Sequence, residues 1–277
     1  FRVCDALTVL RDGKHVQTFE SLEGVAPGGI VERMVGREIE DIWGYRPREH
    51  GETALEALGI TGPGLNGPQS VSVRKGEIVG IFGLVGAGRT ELLKAIYRAS
   101  AGSGGEVRVD GQPVRIRHPR ESIAAGIMLC PEDRKKEGIV GLRSVLENTN
   151  LSARRNHAKL GVVIDERWER ENAQHQVDRL RVRTPHLQQP IGLLSGGNQQ
   201  KVILGRWLSE TVRVLLLDEP TRGIDVGAKR EIYELIYALA ESGVGVLMVS
   251  SELPEVLGVT DRILVMRRGE VEAEFTA

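Results

Sequence analysis

An excess of charge of either sign is absent from this sequence: 37 Lys and Arg stand against 38 Asp and Glu, leaving a net charge of -1. A broad nucleic-acid-binding face needs surplus cations, so the balance argues against one. Long apolar runs are also missing. The best candidates, residues 214–217 and 244–249, have the length of strands. Crossing a bilayer takes roughly 18 apolar residues, so the chain is not expected to cross a membrane by itself. Two cysteines, Cys4 and Cys130, are too few for a disulfide framework, and no stretch resembles a signal peptide, which points to a reducing cytoplasm. Aromatic residues are only 4%, and the six histidines form no ligand-spaced pair. Glycine, by contrast, is plentiful at 34 of 277 residues, well above the roughly 7% of average usage, and its positions are informative.

The chain opens on Phe1 with a strand-like alternation already under way, and it reads as a piece of a longer protein. An internal repeat points the same way. Residues 3–19 match residues 259–275 at a constant offset of 256, with identities at Val3/Val259, Asp5/Asp261, Val9/Val265, Arg11/Arg267, Gly13/Gly269 and Phe19/Phe275. Two copies of one module are expected, the first represented by its tail at 1–20. Residues 21–51, with a helix-like piece at 31–35 and Pro27, Gly28, Gly29, Gly36 and Gly44, read as a linker.

From residue 52 to 277, short apolar runs alternate with amphipathic stretches, the pattern of an α/β domain with a largely parallel sheet. Strands are expected at 78–82, 127–130, 214–217, 244–249 and 263–266, and helices at 90–99, 165–182, 198–208 and 228–240. Ile232, Leu235, Ile236 and Leu239 share one helix face and belong in a core. Residues 106–116 alternate around Asp110-Gly111, a hairpin signal that suggests a small antiparallel flap.

Three segments carry chemistry. After the strand at 78–82 comes GLVGAGRT, with Gly83, Gly86 and Gly88 leading to Arg89 and Thr90. Such a loop lets backbone N–H groups converge on phosphate oxygens at a helix start, where the Thr90 hydroxyl can ligate Mg²⁺. The motif ordinarily has Lys at the place of Arg89, whose planar fork need not reach the same oxygens. A glycine-rich turn without a ligand is the alternative. Downstream, the apolar run 214–217 meets Asp218 and Glu219. Asp218 would hold Mg²⁺ through water and Glu219 would polarise an attacking water, unless both simply cap the next helix. Third, Ser195, Gly196 and Gly197 in LSGGNQQK open a helix that could bind a phosphate presented from outside, or be a plain helix cap.

LSGGNQQK, placed between the phosphate loop and DEPT, resembles the signature of ATP-binding cassette (ABC) ATPases. With GLVGAGRTELL, PEDRKKEG, DEPTRGIDVGAK and VSSELPE, the chain is similar over essentially its whole length to the C-terminal cassette of tandem ATPases that energise monosaccharide importers of the ribose, galactose and xylose type. The resemblance implies a P-loop NTPase fold of ABC type: a mostly parallel core sheet, an antiparallel β flap and an α-helical signature subdomain. It implies ATP and Mg²⁺ as cofactors, and ATP hydrolysis coupled to sugar uptake. The partners it implies are a preceding cassette, membrane permease subunits and, indirectly, a periplasmic or extracellular sugar-binding protein, at the cytoplasmic face of the membrane. Asp225 matches the family loop that crosses the dimer interface, and its residue type also suits an N-cap.

The departures matter as well. Glu132 stands where the family usually has the Gln that senses Mg²⁺ and the permease, and its carboxylate is expected to meet the cation as Thr90 and Asp218 do; Ser251 stands where the family has a switch His. Ser251 can hydrogen-bond phosphate but is no protonatable imidazole. No aromatic for stacking adenine occurs between Gly51 and Gly76. The expectation is a pocket that binds nucleotide but turns it over slowly, on a cassette whose signature completes its neighbour's site. A tandem ABC ATPase acting on ribosomes or DNA is the alternative, and a nucleotide sensor without catalysis a third reading. The basic groups at 115–120, 134–136 and 179–183 are expected to be mostly solvated surface, and the resemblance implies that the first residues after Glu132 face the permease.

Overall fold

The structure, a computed structural model, describes residues 4–11, 13–25, 29–30, 33, 43–160 and 162–276. Apart from Arg33, the expected helical piece at 31–35 lies outside the described residues, as do Val3, Pro27, Gly28 and Gly36.

Short apolar runs that are buried on both faces build the central sheet. Strands β5 (Ile78–Phe82), β8 (Ile127–Cys130), β9 (Val214–Asp218), β10 (Gly245–Ser250) and β11 (Arg262–Arg267) run parallel in the order β11-β5-β10-β9-β8. Strand β12 (Glu270–Thr276) closes the edge in antiparallel fashion against β11. Successive side chains of a strand point to opposite faces. Leu215, Leu217, Val246 and Met248 therefore enter one core, and Val214, Leu216, Leu247 and Val249 the other. Runs without polar alternation are what a doubly covered parallel sheet requires.

The second core lies between this sheet, the helix α1 (Arg89–Ile96) and a four-stranded antiparallel sheet. That sheet is the expected flap, larger than the sequence suggested. To the hairpin β6 (Gly104–Val109) and β7 (Gln112–Val114) it adds β3 (Thr53–Thr61) and β4 (Gln69–Arg74). Asp110 and Gly111 both have positive φ, 49° and 74°, the two-residue turn whose twist matches a hairpin.

The other face carries α3 (Val145–Asn150), α4 (Glu166–Arg179), α5 (Gly196–Leu208) and α6 (Val226–Glu241), while α2 (Pro119–Ala124) and α7 (Leu253–Val259) connect strands. Helix α3 starts with a reciprocal capping box between Ser144 and Glu147. Helices α3, α4 and α5 pack together as a helical unit. It packs on the sheet through Val202, Ile203 and Leu204, and the Trp207 indole N–H donates to the Leu129 carbonyl at 3.0 Å. In α6, Ile232, Ile236 and Leu239 are buried as expected, together with Tyr233 and Tyr237, while Leu235, expected beside them, is only half-buried against the same core.

Residues 43–50, read from sequence as part of a linker, are docked on this core. Trp43 lies 5.4 Å from Tyr233, and its carbonyl accepts from the Tyr237 hydroxyl at 2.8 Å. Arg48 donates to both oxygens of buried Asp261, at 2.8 and 2.9 Å, and Tyr45 donates to the same carboxylate at 3.0 Å. Asp261 also accepts the Ile78 N–H at 2.7 Å, so one carboxylate joins the segment to the start of β5.

The internal repeat is also a structural one. Strands β1 (Leu7–Arg11) and β2 (Lys14–Phe19) form a hairpin with the pairs Leu7/Phe19, Val9/Gln17 and Arg11/Lys14, and a register shift between Val9 and Leu10. The hairpin β11–β12 has Ile263/Phe275, Val265/Ala273 and Arg267/Glu270, with its shift between Val265 and Met266. Each position is displaced by 256, the irregularity included. The surroundings differ: β11 has β5 on its far edge, whereas β1 pairs with β2 alone among the described residues.

Candidate active site

Parallel order brings the chemistry together. Strands β5, β10, β9 and β8 are neighbours, so the loops at their carboxyl ends converge, which is where open α/β sheets bind ligands. They supply the glycine loop, Ser251, Asp218-Glu219 and Glu132 respectively. Gly86, Gly88, Arg89, Thr90, Glu132, Glu219 and Ser251 line one cavity of about 380 Å³. Gly88 at the head of α1 has φ 97°, and a Cβ there would come within 2.8 Å of the Gly269 backbone; only glycine lets this loop turn against the β11–β12 hairpin. Gly83 lies beside this cavity, where a Cβ would meet the Met266 carbonyl at 2.5 Å.

The two acids do not cap the next helix. Asp225 caps α6, accepting from the Ala228 N–H at 3.0 Å, while Asp218 and Glu219 turn back to the loop. The Thr90 hydroxyl donates to Asp218 Oδ1 at 3.1 Å. Asp218 Oδ2 is buried without a hydrogen-bond partner, and burial pushes this carboxyl up to about 6, with the Glu219 charge adding to the rise. An orphaned buried oxygen beside a hydroxyl suits a hard cation. Among the described residues no three His, Cys, Asp or Glu side chains form a cage. Mg²⁺ takes one or two protein ligands and completes its shell with water and phosphate oxygens. Thr90 and Asp218 would hold it.

Glu219 has φ 49° and is buried, which raises its pKa; the Ser251 hydrogen bond and then the Arg89 charge pull the other way. Ser251 Oγ donates to Glu219 Oε2 at 3.1 Å, and Arg89 Nη1 stands 3.4 Å from Oε1 without a hydrogen bond of its own. The fork of Arg89 thus leans on the acid. Glu132 reaches the cavity wall with its carboxylate already held by Arg222 in an ion pair.

The signature residues lie elsewhere. Ser195, Gly197, Asn198 and Asp225 line a second cavity of about 390 Å³ that shares no residue with the first. Ser195 occupies the N-cap position of α5 yet makes no capping bond; its hydroxyl accepts from Asn198 Nδ2 at 2.9 Å, and Asn198 Oδ1 accepts the Arg183 N–H at 2.7 Å. Gly197 is packed so closely that a Cβ would lie 2.8 Å from Ala228 Cβ. The start of α5 thus lines a cavity that Lys201 also walls, its ammonium fixed to Glu231 at 2.7 Å.

A sequence profile of the ABC transporter family matches residues 67–222, more than half of the chain. The chain belongs to that family. It is 58% identical to the arabinose import ATP-binding protein AraG of Vibrio parahaemolyticus, over 99% of this chain and 54% of that protein. Identity to the Escherichia coli O6:H1 protein of the same name is 56%, over 99% and 55% respectively. The chain spans about half the length of the curated relatives it matches. Among solved structures, a nucleotide-free ATP-binding cassette from an ABC transporter superposes with TM-score 0.67 at 24% identity, covering 81% of this chain and 92% of that one. A dimeric cassette bound to ADP and Pi gives TM-score 0.67 at 21% identity, over 80% and 98%. The fold is the ABC ATPase cassette.

In this cassette the sequence candidates thus divide into two groups. Gly86, Gly88, Arg89, Thr90, Glu132, Asp218, Glu219 and Ser251 gather at the phosphate loop; Ser195, Gly197 and Asp225 gather at the signature, with Gly196 behind them against Arg134. Sequence reasoning missed Arg222 and Lys201 as cavity residues, although both lie inside motifs it had singled out. Arg134, expected to be solvated, is half-buried and donates to the Arg222 carbonyl at 2.7 Å.

Proposed function

We propose that this chain is the C-terminal cassette of the ATP-binding subunit of a sugar importer, with residues 52–277 as the cassette, 21–51 as the linker and 1–20 as the tail of a preceding cassette. The relatives named for arabinose import make a pentose the first sugar to test. One observation carries the reading: the phosphate-loop cavity and the signature cavity are separate, so the signature of this chain faces outward. A nucleotide is then enclosed only when a second cassette brings its phosphate loop to Ser195–Gly197 and Asp225, head to tail. The matched hairpins β1–β2 and β11–β12 support a preceding cassette as that partner.

In its own pocket, the amides of residues 86–90 cradle the phosphates and Arg89 adds charge. Thr90 and Asp218 would hold Mg²⁺, which would neutralise phosphate charge. Glu219, oriented by Ser251, accepts the proton of an attacking water. Burial raises the Glu219 pKa and the Arg89 charge only opposes that rise, so the acid keeps its character as a base; Ser251, which has no imidazole proton to give, is the feature that supports slow turnover at this pocket. Among the described residues no helix is long and apolar enough to cross a membrane. Permease subunits would then hold the protein at the cytoplasmic face, with a sugar-binding protein delivering substrate from outside.

The test uses the complete protein with its permease. Gly197 is too tightly packed for a clean charge substitution, whereas Ser195 is exposed and Asp is a good N-cap, so Ser195→Asp adds a carboxylate without disturbing α5. Opposite a γ-phosphate in a water-poor interface it should abolish ATPase activity and sugar uptake. Arg89→Ala and Glu219→Gln should each leave a measurable fraction of both. Full activity in Ser195→Asp together with silence in Glu219→Gln would place the working site in this chain's own pocket.

A further inference from the structure

The turn after β8 reaches further than its sequence position suggests. Asp133 caps the helical turn Arg134–Gly138, accepting the N–H groups of Lys135 and Lys136 at 3.2 and 3.1 Å, and so fixes the direction in which Arg134 leaves the chain. The Arg134 guanidinium donates from Nη1 to the Arg222 carbonyl at 2.7 Å and from Nη2 to the Gly223 carbonyl at 3.4 Å. It also lies under the start of the signature helix, where a Cβ on Gly196 would come within 2.6 Å of Nη2. Gly138, at the end of the same turn, is equally close to α5: a Cβ there would meet Ile203 Cδ1 at 2.8 Å.

These contacts join three segments that the fold otherwise brings in from different elements. Glu132, two residues before Arg134, is on the wall of the phosphate-loop cavity and pairs with Arg222. Residues 222–223 lead to Asp225, which lines the signature cavity with Ser195 and Gly197. The turn therefore grips residues 222–223 twice, Glu132 through the Arg222 side chain and the Arg134 guanidinium through two backbone carbonyls, and it lies against α5 at Gly196.

We propose that Arg134 is a positioning residue, one that holds the signature face in register with the phosphate-loop face of the same cassette and so governs turnover of the nucleotide closed beneath the signature. It is not among the residues that line the phosphate-loop cavity, and its hydrogen bonds go to residues 222 and 223, so nucleotide binding there does not depend on it. A planar fork suits the task because two parallel N–H groups can hold two successive carbonyls, which a single ammonium cannot do. The inference rests on the reading above, in which the signature serves a neighbouring cassette's nucleotide.

Steady-state ATPase measurements on the complete protein with its permease test it, comparing Arg134→Ala, Arg134→Lys and, as a control on the underlying reading, Ser195→Asp. Small misplacements of a reacting assembly cost up to about 100-fold. Arg134→Ala is expected to lower kcat at least ~10-fold while KM for ATP stays within about 2-fold. Arg134→Lys should recover part of the loss. Wild-type kcat in Arg134→Ala, with Ser195→Asp inactive, overturns the positioning role and leaves the head-to-tail reading standing. An active Ser195→Asp overturns the reading itself. Should Arg134→Ala fail to fold, Arg134→Lys decides: a kcat reduced at least ~3-fold at unchanged KM supports the role, and wild-type kcat overturns it.

Discussion

Asp218 shows what the site costs the fold. It is buried, one of its oxygens has no partner, and its carboxyl is pushed up from 3.8 to about 6, first by burial. An acid with a folded-state pKa above its unfolded value loses stability for the protein as pH rises from about 4 through 6, and the loss persists above that window. A rise of about two pKa units corresponds to roughly 3 kcal/mol, an order of magnitude only. Asp218→Asn keeps an acceptor for Thr90 and removes the buried charge. In EDTA, without nucleotide, urea unfolding should show it about 1–3 kcal/mol more stable than wild type at pH 7.5, the difference shrinking towards zero near pH 4. Cysteine offers a simpler check: Cys130 is buried with its thiol pushed up to about 12 by desolvation, while Cys4 is exposed. Folded protein at pH 8 should alkylate rapidly at one site, Cys4, and mass spectrometry that finds Cys130 labelled at a similar rate would contradict the burial argument. Residues of this kind were legible where chemistry requires contiguous residue types, as in the glycine loop, Asp218-Glu219 and the signature. Arg134 was not legible, because the carbonyls it holds are 88 and 89 positions away and nothing local marks them.

The five parallel strands and the long helices were legible in the sequence because burial writes them plainly: continuous apolar runs for the strands, and a 3.6-residue stripe in α6. Strands β3 and β4 were not. Pairing of β3 shifts register between Thr53 and Leu55 and again between Ala57 and Ile60, so its alternation slips out of phase. Helix α3 has only six residues, too few to show a period. One tie of α5 to the sheet was equally hidden, Trp207 meeting a backbone carbonyl 78 residues earlier. Trp207→Phe keeps a ring in place but leaves the Leu129 carbonyl without its donor. An unpaired buried carbonyl costs about 1–3 kcal/mol, so chemical denaturation should show a loss of that size. A loss under ~0.3 kcal/mol would mean that water takes over the carbonyl.

At the level of the molecule, the repeat and the segment 43–50 pose one question: what an edge like that of β1 is built to meet. Asp261 and Asp5 hold matching positions, 256 apart, just before matching hairpins. Asp261 is buried, takes the Ile78 N–H of β5 and neutralises Arg48, whose side chain is only 5% exposed. Asp5 is exposed, and Leu10 is 60% exposed where its counterpart Met266 is 1% exposed. The contrast goes with β5 lying on the far edge of β11, while β1 pairs with β2 alone among the described residues. Removing one partner of a buried ion pair costs about 3–5 kcal/mol, whereas exposed substitutions stay within about 0.5 kcal/mol. In this chain Asp261→Ala should therefore be strongly destabilising in urea and Asp5→Ala silent. In the complete protein, where the proposed preceding cassette would lay its own phosphate-loop strand beside β1, Asp5→Ala should lower the stability of that cassette by an amount comparable to Asp261→Ala in this one. If Asp5→Ala is silent there too, β1–β2 resembles β11–β12 in register but does not close a second cassette, and the tail assigned to residues 1–20 is wrong.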